Sequence, residues 1–177
     1  MVGCATALRN TAPGSKMSAG LDGGEQLTVV RKPCLVRDGW LLGNSEATYT
    51  YSGTQLTTHP WNPTLLDLKK QIEPLSKTAF NSVLLNWYRD GLDSMGWHAD
   101  NEKELGRNPV IASLNLGASR RFLLRKNEDH TQKMEFLLGH GDLLIMRGET
   151  QHFWQHHVPK QKKVLKNRIN LTFRTIQ

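Results

Sequence analysis

A chain of 177 residues with 38% apolar and 22% charged side chains has the size and composition of one folded domain with its own core. Its 23 Lys and Arg against 16 Asp and Glu leave a formal charge of +7 and a pI near 9.6, which favours a polyanionic partner, nucleic acid before membrane. Two cysteines, Cys4 and Cys34, exclude a disulfide scaffold and suit a reducing compartment; no apolar run nears the roughly 18 residues of a membrane span, so a soluble intracellular protein is expected.

Residues 1–24 are rich in Ala, Gly, Ser and Thr and lack the apolar core of a secretory signal. They read as a disordered tail, with an organelle-targeting leader as the alternative. Leu27 to Tyr51 reads as short extended segments with turns at Asp38-Gly39 and Gly43-Asn44. Asn62-Pro63 is an N-cap followed by a first-turn proline, and Leu65, Leu66, Leu68 and Ile72 keep helical spacing until the chain reaches Pro74. Strands then follow at Ser82–Tyr88, Val110–Leu116, Arg121–Arg125, Met134–Leu138, Asp142–Met146 and Arg168–Ile176. The gaps between them are too short for the helices of a parallel α/β fold, so a mainly β sandwich or jelly roll is predicted.

His98-Ala99-Asp100, with a later histidine, supplies two imidazoles and a carboxylate, the facial set that holds Fe(II) while leaving positions open for oxygen and a co-substrate. A catalytic zinc site uses the same ligand types, and a histidine and aspartate capping a turn after Gly96 is the plainer reading. In a strand, His98 and Asp100 would share a face. His152, His156 and His157 compete for the third place, and spacing does not separate the last two.

Arg168, Asn170 and Arg174 share one face of a terminal strand whose other face carries Leu171 and Phe173. The polar set is either the solvated side of an edge strand or the lining of a pocket. A guanidinium fork binds a carboxylate in bidentate fashion, which suits a small dicarboxylate beside the metal. Asn86 and Tyr88, two apart in another apolar strand, add an amide and a phenol. Together the motifs indicate an iron- and 2-oxoglutarate-dependent oxygenase.

From about Thr48 to Phe173 the chain resembles the AlkB family of dealkylating dioxygenases, nearest the branch that repairs double-stranded DNA. The resemblance lies in Thr48-Tyr49-Thr50-Tyr51-Ser52-Gly53, Pro60-Trp61, residues 81–91 (NSVLLNWYRDG), Gly96-Trp97-His98-Ala99-Asp100 with Glu102, residues 109–113 (PVIAS), residues 140–144 (HGDLL) and residues 168–174 (RINLTFR). It implies a double-stranded β-helix, or jelly roll, with a short N-terminal helix. The domain would span 25–177, with 25–60 as a lid and nucleotide-recognition segment. It implies that His98, Asp100 and His156 bind Fe(II), and that Arg168 pairs with the distal carboxylate of 2-oxoglutarate. Asn86 and Tyr88 would bond the same co-substrate, with Asn170 and Arg174 completing that face and Arg174 near the chelating end or bracing Asp100.

The activity implied is oxidative demethylation of 1-methyladenine and 3-methylcytosine in DNA, with 2-oxoglutarate and O2 consumed and succinate and formaldehyde released. A base in a duplex must be flipped out to reach such a centre. Tyr49 and Tyr51 would contact that base through cation–π attraction, and Glu102 would face its exocyclic amine. Lys160, Lys162 and Lys163, with Lys166, would clamp the backbone, with Arg120, Arg121, Arg125 and Lys126 as a second basic candidate. Trp97 and Trp154 would pack near the metal. The N-terminal lid departs from the family pattern: Arg31 to Trp40 matches only loosely, and Leu27, Val29 and Val30 are the candidates for a finger that fills the gap left by the base. Alkylated DNA or RNA is the expected partner of a monomer in the nucleus of a eukaryote or the cytoplasm of a bacterium. The alternatives are an RNA demethylase or protein hydroxylase on the same fold, or a catalytically impaired nucleic-acid-binding homologue.

Overall fold

The computed structural model describes the backbone of residues 16–20, 26–31, 41–44, 49–51, 54–56 and 59–177, and the side chains of 41–44 and 59–177. In chain order the elements are β1 (Lys16–Gly20), β2 (Gln26–Arg31), β3 (Leu42–Gly43), β4 (Tyr49–Tyr51), β5 (Thr54–Leu56), α1 (Pro63–Ser76), β6 (Ser82–Tyr88) and β7 (Met95–His98). A 3-10 turn at Lys103–Leu105 leads to β8 (Ile111–Gly117), β9 (Arg120–Lys126), β10 (Lys133–Leu138), β11 (Asp142–Arg147), α2 (Thr150–Phe153), β12 (Trp154–Val158) and β13 (Arg168–Arg174). A seven-stranded sheet in the order β1-β2-β11-β8-β13-β6-β3 and a four-stranded sheet in the order β10-β9-β12-β7 make up the double-stranded β-helix; β4 and β5 form a separate hairpin. The chain crosses repeatedly between the two sheets, with antiparallel pairing throughout both.

Strand alternation sorts the larger sheet into two faces. Its outward residues, among them Val83, Ala112, Leu114, Leu171 and Phe173, pack under Leu65, Leu68 and Ile72 of α1. Trp61 adds a ring stacked 6.4 Å from Phe173. The helix begins where the capping signal lies, with Asn62 Oδ1 accepting from the Leu65 amide at 2.9 Å. It runs past Pro74 to Ser76, because in the last turn a missing N–H costs a single backbone bond. The inward face carries Ser113 and Asn115 of β8 and Arg168, Asn170, Thr172 and Arg174 of β13, all buried. With the helix on one side and the second sheet on the other, these polar groups are sealed inside the roll. The solvated-edge reading of β13 is thereby excluded: this strand sits between β8 and β6.

Two N-terminal expectations differ from what is found. Lys16–Gly20, within the stretch read as a tail, pairs with β2, and β2 pairs in turn with β11. Leu27, Val29 and Val30 therefore lie in a paired strand of the larger sheet rather than in a protruding finger.

Candidate metal centre and co-substrate pocket

Cross-strand pairing builds the centre. β7 and β12 run antiparallel with His98 directly opposite His156, and their ring centroids are 4.1 Å apart. Asp100 follows β7 in the loop instead of sharing its face, which corrects the alternation argument. The turn brings its carboxylate back, so that one ligand atom from each of His98, Asp100 and His156 lies within 4.8 Å of the others. His98 Nδ1 donates to the Gly96 carbonyl at 2.8 Å, which leaves Nε2 as a lone-pair donor, 3.8 Å from Asp100 Oδ1. Burial, opposed by Asp100, pushes the His156 imidazole down to about 4, so it is neutral and able to ligate at physiological pH.

Asp100 is 1% exposed. Its backbone amide donates to Gln151 Oε1 at 2.9 Å, and its Oδ2 accepts from Arg174 Nη2 at 2.9 Å. Burial raises the Asp100 carboxyl, but Arg174, His156 and His98 together outweigh it and hold the group below the ordinary carboxylate range. Oδ1 is buried and accepts no hydrogen bond among the described residues. A buried anionic oxygen with no donor is costly, and a cation between it and the two imidazoles removes that cost. The donor set therefore fits a divalent metal with an open side.

Arg168, 1% exposed, is another charged group of the interior. It opens β13 opposite Tyr88 and Gly117, at a crossing where Gly117 takes φ +88° and a Cβ would meet Asn167 O at 2.5 Å. Its Nε donates to Asn115 Oδ1 at 3.1 Å and Nη2 donates to the same oxygen, while Nη1 is buried without an acceptor among the described residues. The guanidinium lies 4.8 Å from the Tyr88 ring centroid. Burial pushes Arg168 down to about 10, with Tyr88 opposing, so it stays charged at neutral pH. A buried cation whose hydrogen bonds go to a neutral amide and the Tyr88 phenol, with no carboxylate among those partners, fits a carboxylate. Between this face and the triad lies a cavity of about 30 Å³ whose walls include Asn86, Tyr88, Asn170 and Arg174. Arg168 stands behind Tyr88 rather than on that wall. The space is enough for an ion with a water or two.

A sequence model of the 2OG-Fe(II) oxygenase superfamily matches residues 7–174. The chain belongs to that superfamily. Membership implies Fe(II), 2-oxoglutarate and O2, and His98, Asp100 and His156 form a group able to hold the metal. The chain is 49% identical over 140 residues to alpha-ketoglutarate-dependent dioxygenase alkB homolog 3 of Bos taurus, covering 74% of this chain and 49% of that protein. It is 39% identical over 141 residues to the DNA oxidative demethylase ALKBH2 of Mus musculus, covering 76% of this chain and 59% of the relative. The chain thus spans about half the length of the curated relatives it matches. A solved structure described as that of OsALKBH1 superposes with a TM-score of 0.56 at 21% identity, covering 93% of this chain and 86% of that one, and shares the fold.

In this superfamily member strand parity separates the candidate histidines. Trp154, His156 and Val158 of β12 point inward and are buried, while His157 turns out, bonds the Met95 carbonyl through Nδ1 and stacks on Trp97 at 4.9 Å. His152 is engaged by Asn108 Oδ1 at 2.8 Å. Asn170 lines the cavity with its amide already committed to Ser113 Oγ (2.8 Å) and the Leu114 carbonyl (3.1 Å), so it braces the pocket face. Of the positions expected to meet substrate, Glu102 leads into the 3-10 turn with a buried Oε2 that accepts no hydrogen bond among the described residues, and Lys160, Lys162 and Lys163 are exposed. Tyr49 and Tyr51 lie in β4, with side chains outside the described residues.

Three residues of the second basic candidate are engaged within the protein. Arg120 is buried and donates to the carbonyls of Asp90, Asp93 and Pro159, Arg121 pairs with Glu135 at 2.7 Å, and Arg125 bonds Gln155 and lies over Trp97. Trp97 thus packs outside the roll and Trp154 inside it. Sequence reasoning missed Gln151 and Asn115. No pattern marks Gln151, whereas Asn115 stands out as a polar residue on the Ser113 face of an apolar strand.

Proposed function

We propose that this domain oxidatively demethylates 1-methyladenine and 3-methylcytosine in alkylated nucleic acid, DNA foremost, acting as a monomer inside the cell. The observation that carries the reading is the convergence of His98, Asp100 and His156 on a buried point where Asp100 Oδ1 accepts no hydrogen bond among the described residues, beside a face holding the buried Arg168. Relatives named as a DNA oxidative demethylase and as an alkB homologue support the choice of substrate.

The residues divide the work. His98 through Nε2, Asp100 through Oδ1 and His156 through a ring nitrogen would hold Fe(II). When bound, Fe(II) with 2-oxoglutarate and O2 supplies the oxidant that hydroxylates an N-methyl carbon, giving a hydroxymethyl group that falls away as formaldehyde, with succinate and CO2 as co-products. Arg168 would neutralise the distal carboxylate of the diacid, with Tyr88 against its guanidinium. Arg174 and Gln151 hold Asp100 in place from two sides. The apolar inner wall of Phe122, Met146 and Val158 limits water beside the triad. No nucleophile or general base is required. Glu102, with its buried carboxylate oxygen, favours a base made cationic by methylation.

The test is mass spectrometry of oligonucleotides carrying 1-methyladenine or 3-methylcytosine after incubation with protein, Fe(II), ascorbate and 2-oxoglutarate in air. The expected result is loss of one CH2 mass per lesion, dependent on both iron and 2-oxoglutarate. Unchanged DNA and RNA oligonucleotides in the presence of active enzyme, shown by succinate formation on a peptide substrate, would refute it.

A further inference from the structure

The outer face of β6 extends beyond the helix that covers it. Val83 and Leu85 pack beneath α1, whereas Trp87, next on the same face, is 64% exposed. On its β3 side β6 is paired only at Ser82 and Val83, so among the described residues that edge is open from Asn86 to Tyr88. A cleft of about 330 Å³ lies along it, bordered by Trp87, Arg89 and Asp93. Its remaining walls include Asn86, Tyr88 and Met95, which also line the cavity at the triad. The cleft is therefore the neighbour of the reaction centre.

Two segments frame it. The turn after β6 and the connection before β13 are joined by backbone hydrogen bonds from the Gly91 amide to Val164 O and from the Gln161 amide to Gly91 O, both 2.7 Å. A Cβ at Gly91 would lie 1.9 Å from Gln161 O, so this approach requires glycine. It ties the connection bearing the exposed Lys160, Lys162, Lys163 and Lys166 to the turn whose Arg89 and Asp93 border the cleft. Arg89 donates twice to Asp93, at 2.9 and 2.8 Å, so the cleft lining carries no net charge.

We propose that Trp87 is a stacking platform for an unpaired base flanking the lesion, with the lysine connection taking its phosphates, so that this rim binds single-stranded nucleic acid. The proposal rests on the nucleic-acid reading above. An exposed indole offers a π face to any base, and a cationic border beside an aromatic is how single strands are held without sequence preference. In an intact duplex both faces of each base are already stacked, so only an unpaired strand has a face to give.

The test uses the full chain loaded with Mn(II) and 2-oxoglutarate, and fluorescence anisotropy of a labelled oligothymidylate. Trp87→Ala should weaken binding roughly 5- to 150-fold, the range for loss of one base–aromatic stack. Trp87→Phe should recover most of it. Leu137→Ala, which removes a side chain 62% exposed on β10, should bind as the wild type does. Binding of a fully paired duplex should be little changed by Trp87→Ala. Equal losses on single strand and duplex, or no loss on either, would overturn the platform. If the wild type demethylates a methylated oligonucleotide and Trp87→Ala binds oligothymidylate normally, only this inference fails; if the wild type demethylates no nucleic acid, the underlying reading fails.

Discussion

Replacing Arg174 with methionine tests the electrostatic logic of the centre. The Arg174–Asp100 pair is buried on both sides, with side chains 6% and 2% exposed and a separation of 2.9 Å. Removing one member of such a pair leaves an uncompensated buried charge at a cost of roughly 3–5 kcal/mol. For a chain of this size each kcal/mol lowers Tm by about 2–4 °C, so the metal-free variant should melt roughly 6–20 °C below the wild type. A divalent cation in the triad would then be the principal positive charge near Asp100. Saturating Mn(II) should therefore raise the Tm of Arg174→Met by more than it raises the wild type, because binding to the native state adds stability in proportion to its differential affinity. Differential scanning fluorimetry with and without Mn(II) reads both quantities. Arg174→Lys, which keeps the charge but loses the fork, should fall between the two. A metal-free Tm within about 2 °C of the wild type, or a Mn(II) shift no larger in the variant, would show that Arg174 and the metal do not compensate the same carboxylate.

Gln151→Leu removes the acceptor of the Asp100 amide and should lower Mn(II) affinity about 10- to 100-fold, as loss of a ligand's support does, measured by isothermal titration. Asn115→Leu strips Arg168 of the oxygen that takes both Nε and Nη2; stability should drop by about 1–3 kcal/mol in urea unfolding, with KM for 2-oxoglutarate moving more than kcat. Exchanging Lys160, Lys162 and Lys163 together for glutamine should weaken oligonucleotide binding evenly across sequences. The slope of log Kd against log salt should flatten by about 0.7 for each phosphate that is no longer neutralised.

Local pattern was enough for much of this protein. Asn62-Pro63 announces α1, β6 is delimited residue for residue, and the alternation of Arg168, Asn170 and Arg174 against Leu171 and Phe173 separates a polar from an apolar face. These are properties of a few consecutive residues, and helical or extended periodicity writes them into the chain. Other features arise only when distant segments meet. β7 and β12 are too short and too polar to be marked as strands, yet their pairing sets His98 against His156. Whether His156 or His157 faces inward depends on which side of β12 the second sheet buries. Arg168 rests on Asn115 because β13 and β8 align at Asn170 and Asn115, a register set by the crossing at Gly117 and by the packing of both strands under α1. The kinds of candidate donor are thus a matter of residue identity and spacing. Their convergence, and the burial that makes a carboxylate oxygen and a guanidinium nitrogen wait for partners, came from long-range register, which no local period encodes.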